Sequence, residues 1–367
     1  MSRWSPRIRH FIVAGAALAA ACSSNNATAP STTTTTSSGL SNPQVATTDL
    51  QTVDTSFKTP ALTSFSTLST EFIPSSPRLA ALIHATVPQV GASAPTYGAV
   101  AAHVAALRAG LFSGSMRLSI LPPGDLGKIY VKTSATSAYT WASTLTGGPS
   151  NGVRFVLYQV NASLQVVSPL DSIGYVDFLD ESSGSTNKLE IKIVVGSTTY
   201  ADYTISGTDG TTPSLTMAGY VSNGTNQVNF NISYSANTST GTFSDVSTIS
   251  VPSLSLNYSF DISATNPTAT TVTVTISYDL SDATDSLSAQ GTLTENTSTS
   301  SESGSITVKE NGQSFATISI SGSTVTFTGS SGGSLSATQE ATLSSLFASG
   351  GELEADILLL IIPFAIL

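Results

Sequence analysis

Val228-Asn229-Phe230-Asn231-Ile232-Ser233-Tyr234, residues 228–234, carries an apolar or aromatic side chain at every second position, with Asn or Ser between. A strand with one buried and one wetted face produces that period, because successive side chains point to opposite faces. The pattern spreads both ways. Downstream it returns at Leu254, Leu256, Tyr258, Phe260 and Ile262, then at Val272, Val274, Ile276 and Tyr278. Ile318, Ile320, Val325 and Phe327 repeat it around a turn at Ser321-Gly322-Ser323. Upstream, residues 153–160, 173–179, 189–195 and 200–205 fit the same scheme, and Asn311-Gly312 is a strong hairpin signal. The expected fold is mainly β, a large antiparallel meander of about ten to twelve strands over residues 118–330. That is more than one open twisted sheet holds comfortably, so it should form a curled sheet, a half-barrel or a sandwich.

Helical spacing flanks this region. Leu50, Val53 and Phe57 recur at helical intervals, Thr48 with Gln51 suggests a capping box, Pro60 interrupts, and Leu62, Phe65, Leu68 and Phe72 continue the stripe. Residues 78–87 and 97–109 are further candidates, the second ending at Gly110. After the strands, Leu335, Leu343, Leu346 and Phe347 give a C-terminal helix, and the chain ends in DILLLIIPFAIL. Those twelve residues are too short for a membrane-spanning helix, which needs about 20. They read as a buried cap on the β core or as a second membrane contact.

The first residues address the chain for export. Arg3, Arg7 and Arg9 precede the uncharged run FIVAGAALAA, residues 11–20, as in a secretory signal. Leu18-Ala19-Ala20-Ala21-Cys22 resembles the lipobox of bacterial lipoproteins. The resemblance implies cleavage before Cys22, the only cysteine, and its acylation. The family places its leucine three positions before the cysteine, where this chain has Ala19. Ala19-x-Ala21 is also an ordinary cleavage site, which leaves open a freely secreted or periplasmic protein with one thiol. Residues 23–39, SSNNATAPSTTTTTSSG, read as a flexible tether, because so few apolar groups cannot offset the entropy of ordering. The expected organisation is a leader over 1–21, lipidated Cys22 and tether over 22–47, and a helical segment packing on the sheet over 48–110. The β domain follows over 118–330, then the C-terminal helix and apolar tail over 334–367.

Three of the 13 Lys and Arg lie in the leader, leaving ten against 23 Asp and Glu, a mature charge of about −13. That argues against nucleic acid as a partner. After Lys192 only Lys309 is basic, against fourteen acids. Charged residues make up 10% of a chain that is 40% hydrophobic, so Ser, Thr, Asn and Gly must supply most of the wetted surface.

His84 and His103 are the only histidines after the leader, too few with one cysteine for a zinc site, so no metal or cofactor is expected. Asp279, Asp282 and Asp285 lack the spacing of a calcium loop and read as a solvated turn. Gly329-Ser330-Ser331-Gly332-Gly333 matches the nucleophile-elbow pattern, but no histidine follows it as that mechanism requires. Ser185-Thr186-Asn187-Lys188 matches S-x-x-K without the companion motifs. Asp177, Asp180 and Glu181 cluster as carboxylates do in glycoside hydrolysis, and read as a polar turn. Trp141 beside Tyr139 offers a thin carbohydrate platform. The functional expectation is a lipid-anchored cell-envelope protein, bound to a membrane through Cys22 with the outer membrane as its address, in a non-enzymatic structural or surface-interaction role. A carrier or chaperone for an apolar ligand in a half-open barrel is the alternative, and an outer-membrane β-barrel a lesser one.

Overall fold

Hairpin follows hairpin through the alternating stretch, so each strand lies beside the one before it. The computed structural model describes residues 43–71, 121–184, 186–208, 214–237, 242–265, 271–296, 301–321 and 324–343, with single positions at 212, 240, 346, 347, 353, 357 and 360. The early strands are β1 (Ile129–Val131), β2 (Thr140–Trp141), β3 (Gly152–Tyr158), β4 (Ser172–Asp180) and β5 (Thr186–Val195). The middle ones are β6 (Thr198–Thr208), β7 (Ser214–Ser222), β8 (Gln227–Asn237), β9 (Thr242–Val251) and β10 (Leu256–Thr265). The last are β11 (Thr271–Ser281), β12 (Ser286–Asn296), β13 (Ser301–Glu310), β14 (Gln313–Ser321) and β15 (Thr324–Gly329). From β3 to β15 every neighbour is antiparallel and consecutive; β1 instead lies parallel to β3 and carries β2 antiparallel on its far side. All fifteen form one mixed sheet, with β15 at one end and β2 at the other. It is not closed into a barrel.

Fifteen strands exceed the ten to twelve expected. β1 and β2 are too short to set up a period, and β9 breaks the rule because Asp245 and Ser247 are buried while Val246 is exposed. Asn311 and Gly312 turn between β13 and β14 with φ of 48° and 75°, the conformation that a two-residue hairpin of this type requires.

The two faces differ sharply. On the inner face Phe178, Ile191, Tyr203, Phe230, Ile249, Tyr258 and Leu280 follow one another across the strands, all buried. On the outer face one cross-strand row starts at Thr208 and passes through Ser235, Ser263, Thr292 and Ser319 to Thr326, with a Ser or Thr on each of the ten strands β6–β15. These hydroxyls wet the sheet without charge.

The chain covers its own apolar face. α1 (Pro43–Phe57) and α2 (Pro60–Glu71) lie over the strands from β3 to β8, burying Leu50, Val53, Leu62, Phe65 and Leu68. α1 begins five residues before the expected cap, so Thr48 lies inside it, and its carbonyl accepts a hydrogen bond from the Thr52 hydroxyl (2.9 Å). The capping box is therefore not formed. Pro60 opens α2 instead of merely ending α1: proline suits a first helical position, and the Thr59 hydroxyl accepts from the Leu62 N–H (3.3 Å). The candidates at 78–87 and 97–109 lie outside the described residues.

The C-terminal segment is helical over 337–343, and its Leu335, Leu343, Leu346, Phe347, Leu353, Ile357 and Leu360 are buried in the same core. Two buried tyrosines of the sheet hold it: Tyr203 donates to the Leu360 carbonyl (2.9 Å) and Tyr278 to that of Leu346 (3.3 Å). Phe347 meets Tyr278 edge to face at 4.8 Å. Ile357 and Leu360 thus belong to the core, and the other residues of DILLLIIPFAIL lie outside the described residues. No helix among the described residues is long and apolar enough to cross a membrane.

Candidate functional site

The corner formed by β1 and β2 gathers aromatic and basic side chains. Tyr130 stacks on Phe155 (4.9 Å, 17° between planes), and Trp141 lies opposite Tyr130 in the register. The Tyr139 ring meets Phe155 edge-on at 5.4 Å, and its hydroxyl donates to the Val156 carbonyl (2.6 Å). Tyr139 therefore packs against the sheet, and the expected two-ring platform is not formed. Trp141 alone is presented to solvent, 54% exposed. The Lys128 ammonium lies 4.9 Å from its ring centroid, a cation–π contact, and donates to Asp125 Oδ1 (2.8 Å). The Tyr130 hydroxyl donates to the same oxygen (2.9 Å). The hydrogen bond from Lys128 holds the Asp125 carboxyl below its usual range. Burial, with Asp125 as its partner, pushes the Tyr130 phenol up to about 12.

Next to this corner the outer face carries a row of alternating charge: Arg154 on β3, Asp177 on β4, Lys192 on β5 and Asp202 on β6, each opposite the next. Arg154 grips Asp177 with two hydrogen bonds (2.6 and 2.7 Å) and lies 3.7 Å from the Tyr175 ring centroid. Lys192 donates to Asp202 (2.8 Å). The three clustered acids do not converge. Asp177 faces Arg154, Asp180 accepts the backbone N–H of Ser182 (3.0 Å) in its own turn, and Glu181 pairs with Lys188 (2.6 Å).

A different carboxyl pair emerges, one that only the β4–β5 register reveals. Glu190 hydrogen-bonds Glu181, and burial, then that bond, raises the Glu190 carboxyl to about 7, while Lys188 holds Glu181 low. A raised folded-state value means that Glu190 contributes most below the ordinary carboxyl range and loses that contribution as pH rises through about 7. Glu190→Gln, which keeps a donor for Glu181, should therefore match the parent near pH 4 and exceed its stability by about 1 kcal/mol at pH 8, after discounting for solvent. Urea unfolding at the two pH values measures this. A gap of the same size at both would show that Glu190 is not the group that holds the proton.

The remaining motifs fall on turns. Asp282 Oδ1 accepts from the Thr284 and Asp285 backbone N–H groups (2.6 and 2.9 Å) and from the Thr284 hydroxyl (2.7 Å), closing the β11–β12 turn. Burial opposes it, but these bonds hold the Asp282 carboxyl below its usual value. Ser331 lies in the turn after β15, where Gly329 donates to the Gly333 carbonyl (2.6 Å). Among the described residues no group of three acidic, His or Cys side chains is placed to hold a metal ion. A shallow depression of about 660 Å³ opens on the outer face over β8–β12, lined by Asn229, Asn231, Thr248, Ser259 and Asp279 among others. Cys22, His84, His103 and Ser185 lie outside the described residues.

No family model, curated protein or solved structure matches the chain.

Proposed function

We propose that this is a lipid-anchored protein of the bacterial cell envelope with a non-enzymatic structural or surface-interaction role. Acylated Cys22 holds it to the outer membrane, and the Ser- and Thr-rich tether sets the β domain off from the bilayer. The observation that carries the non-enzymatic part is how the polar groups are used. Asp177 neutralises Arg154, Glu181 pairs with Lys188, and Asp282 closes its own turn. A hydroxyl-coated face opposite a self-filled apolar face suits a domain that meets other surfaces. A carrier would need room on the apolar face, and the chain's own Leu, Ile and Phe side chains already pack there.

Cell fractionation of the full-length protein and its Cys22→Ser variant tests the reading. The parent should require detergent for release from membranes, whereas Cys22→Ser should be recovered in the soluble envelope fraction after a salt wash. Unchanged detergent dependence in the variant would overturn anchoring through Cys22. An apolar molecule recovered by solvent extraction of the purified protein, and identified by mass spectrometry, would favour the carrier instead.

A further inference from the structure

We propose that the β1–β2 corner is a lipid-facing surface that rests on the bilayer interface beside the anchor. The idea builds on the lipoprotein reading and adds an orientation to it. Five large apolar side chains are exposed among the described residues, and three belong to this corner: Leu126 (37%), Trp141 (54%) and Leu145 (48%). Backbone bonds bring their segments to one end of β1. Ala142 donates to the Ile129 carbonyl (2.9 Å), Leu145 to Ala142 (3.1 Å), and Gly127 to both Pro149 (3.1 Å) and Gly152 (2.8 Å). The loop carrying Leu126 and the loop carrying Leu145 are thus neighbours, and Trp141 lies on β2 opposite Tyr130, just before the second loop.

Charge sets the orientation. In the corner Lys128 is paired with Asp125, and on the adjoining strand Arg154 is paired with Asp177, so this end is near charge balance. The stretch after Lys192, toward the other end of the sheet, carries fourteen acids and one lysine. An anionic bilayer surface would repel the far end and oppose the corner least, so charge favours one orientation. Trp and Lys are side chains that settle at the water–lipid boundary, the indole at headgroup depth and the ammonium above it. Lys128 over the Trp141 ring already has that arrangement. A glycan is less well matched, because Tyr139 turns its ring against Phe155 and leaves a single exposed ring for stacking.

The patch is small, so its own affinity is weak. Residues 22–42 reach at most about 70 Å when fully extended, which keeps the domain within a small volume above the membrane. Tethering converts weak contact into frequent contact. Stable attachment by two signals is the usual arrangement for lipidated proteins.

The test uses the unacylated Cys22→Ser mature chain, so that failure of the anchor and failure of the corner are read separately. Trp4 lies in the leader, and Trp141 is the only other tryptophan, so fluorescence reports this site alone. Adding phosphatidylethanolamine–phosphatidylglycerol vesicles should shift Trp141 emission to the blue, and brominated acyl chains should quench it. Phosphatidylcholine vesicles should give a comparable shift, because the apolar side chains make the contact. Leu126→Ser with Leu145→Ser should keep the parent's circular dichroism and melting while lowering vesicle affinity at least tenfold. No shift and no quenching with any vesicle would overturn the proposal. So would a shift produced by an N-acetylglucosamine tetramer in place of vesicles, which would assign the corner to a glycan.

Discussion

A chain cut after Ser334 is expected not to reach the native state. Among the described residues, seven buried side chains would be lost with residues 335–367: Leu335, Leu343, Leu346, Phe347, Leu353, Ile357 and Leu360. At roughly 1.5–3 kcal/mol each their burial sums to between about 10 and 20 kcal/mol, against a typical net stability of about 5–15 kcal/mol. The loss also uncovers Tyr203 and Tyr278, whose hydroxyls donate to the Leu360 and Leu346 carbonyls, and so opens an apolar sheet face to water. The expected result is a chain that aggregates or binds a hydrophobic dye, without a cooperative urea transition. If the shortened chain instead melts at the parent's midpoint, the C-terminal segment is not what fills the inner face. A folded, shortened chain that takes up apolar molecules would turn the argument toward the carrier.

Alternation made the strands legible wherever both faces obeyed it. β8, β10 and β11 could be read directly, because Tyr, Phe and Ile alternate with Ser, Asn and Thr along each. β12 and β13 resist reading because Ala289, Gly291 and Gly304 stand at inner positions, and small residues carry little periodic signal. β1 and β2 have no period of their own; their place comes from contacts with Phe155 and Arg154, on a strand more than ten residues away. The site was less legible still. Trp141 stands out by rarity, but whether Tyr139 joins it depends on where Phe155 and Val156 lie. The Glu181–Glu190 pair exists only once the β4–β5 hairpin has a register. What sequence reads well is which face a residue takes; what it reads poorly is which residue faces it.

The hydroxyl coat and the covered apolar face are consequences of the same choice. A sheet this wide with one apolar face must either pair with another layer or be covered, since lone apolar faces of this size drive association. Here α1, α2 and the C-terminal segment supply the cover within one chain. The outer face then needs solubility without dense charge, and rows of Ser and Thr provide it. At the β3–β6 end the ion pairs of Arg154 with Asp177 and of Lys192 with Asp202 cross between neighbouring strands and help to fix the register.

Gly219→Val is expected to be the most damaging single substitution in the sheet, at about 4 kcal/mol or more. Gly219 sits within β7 at φ 150°, a backbone conformation that side chains rarely adopt. A Cβ there would run into the Asp202 carbonyl oxygen and into Tyr203 Cα and Cβ. Neither backbone can yield without parting β6 from β7. The absent side chain also leaves space in which the Tyr203 and Phe230 rings meet at 5.9 Å, across a strand that separates them. Moving Tyr203 would in turn withdraw the hydroxyl that holds Leu360, so strain in β7 reaches the C-terminal cover. Gly312→Ala is the control. It also has positive φ (75°), but nothing lies within 4 Å of its added Cβ, and a loss of only about 1 kcal/mol is expected. Urea midpoints of the two variants decide the matter: equal losses would mean that backbone conformation alone is at stake, and that the ring contact over Gly219 does not hold the sheet to its cover.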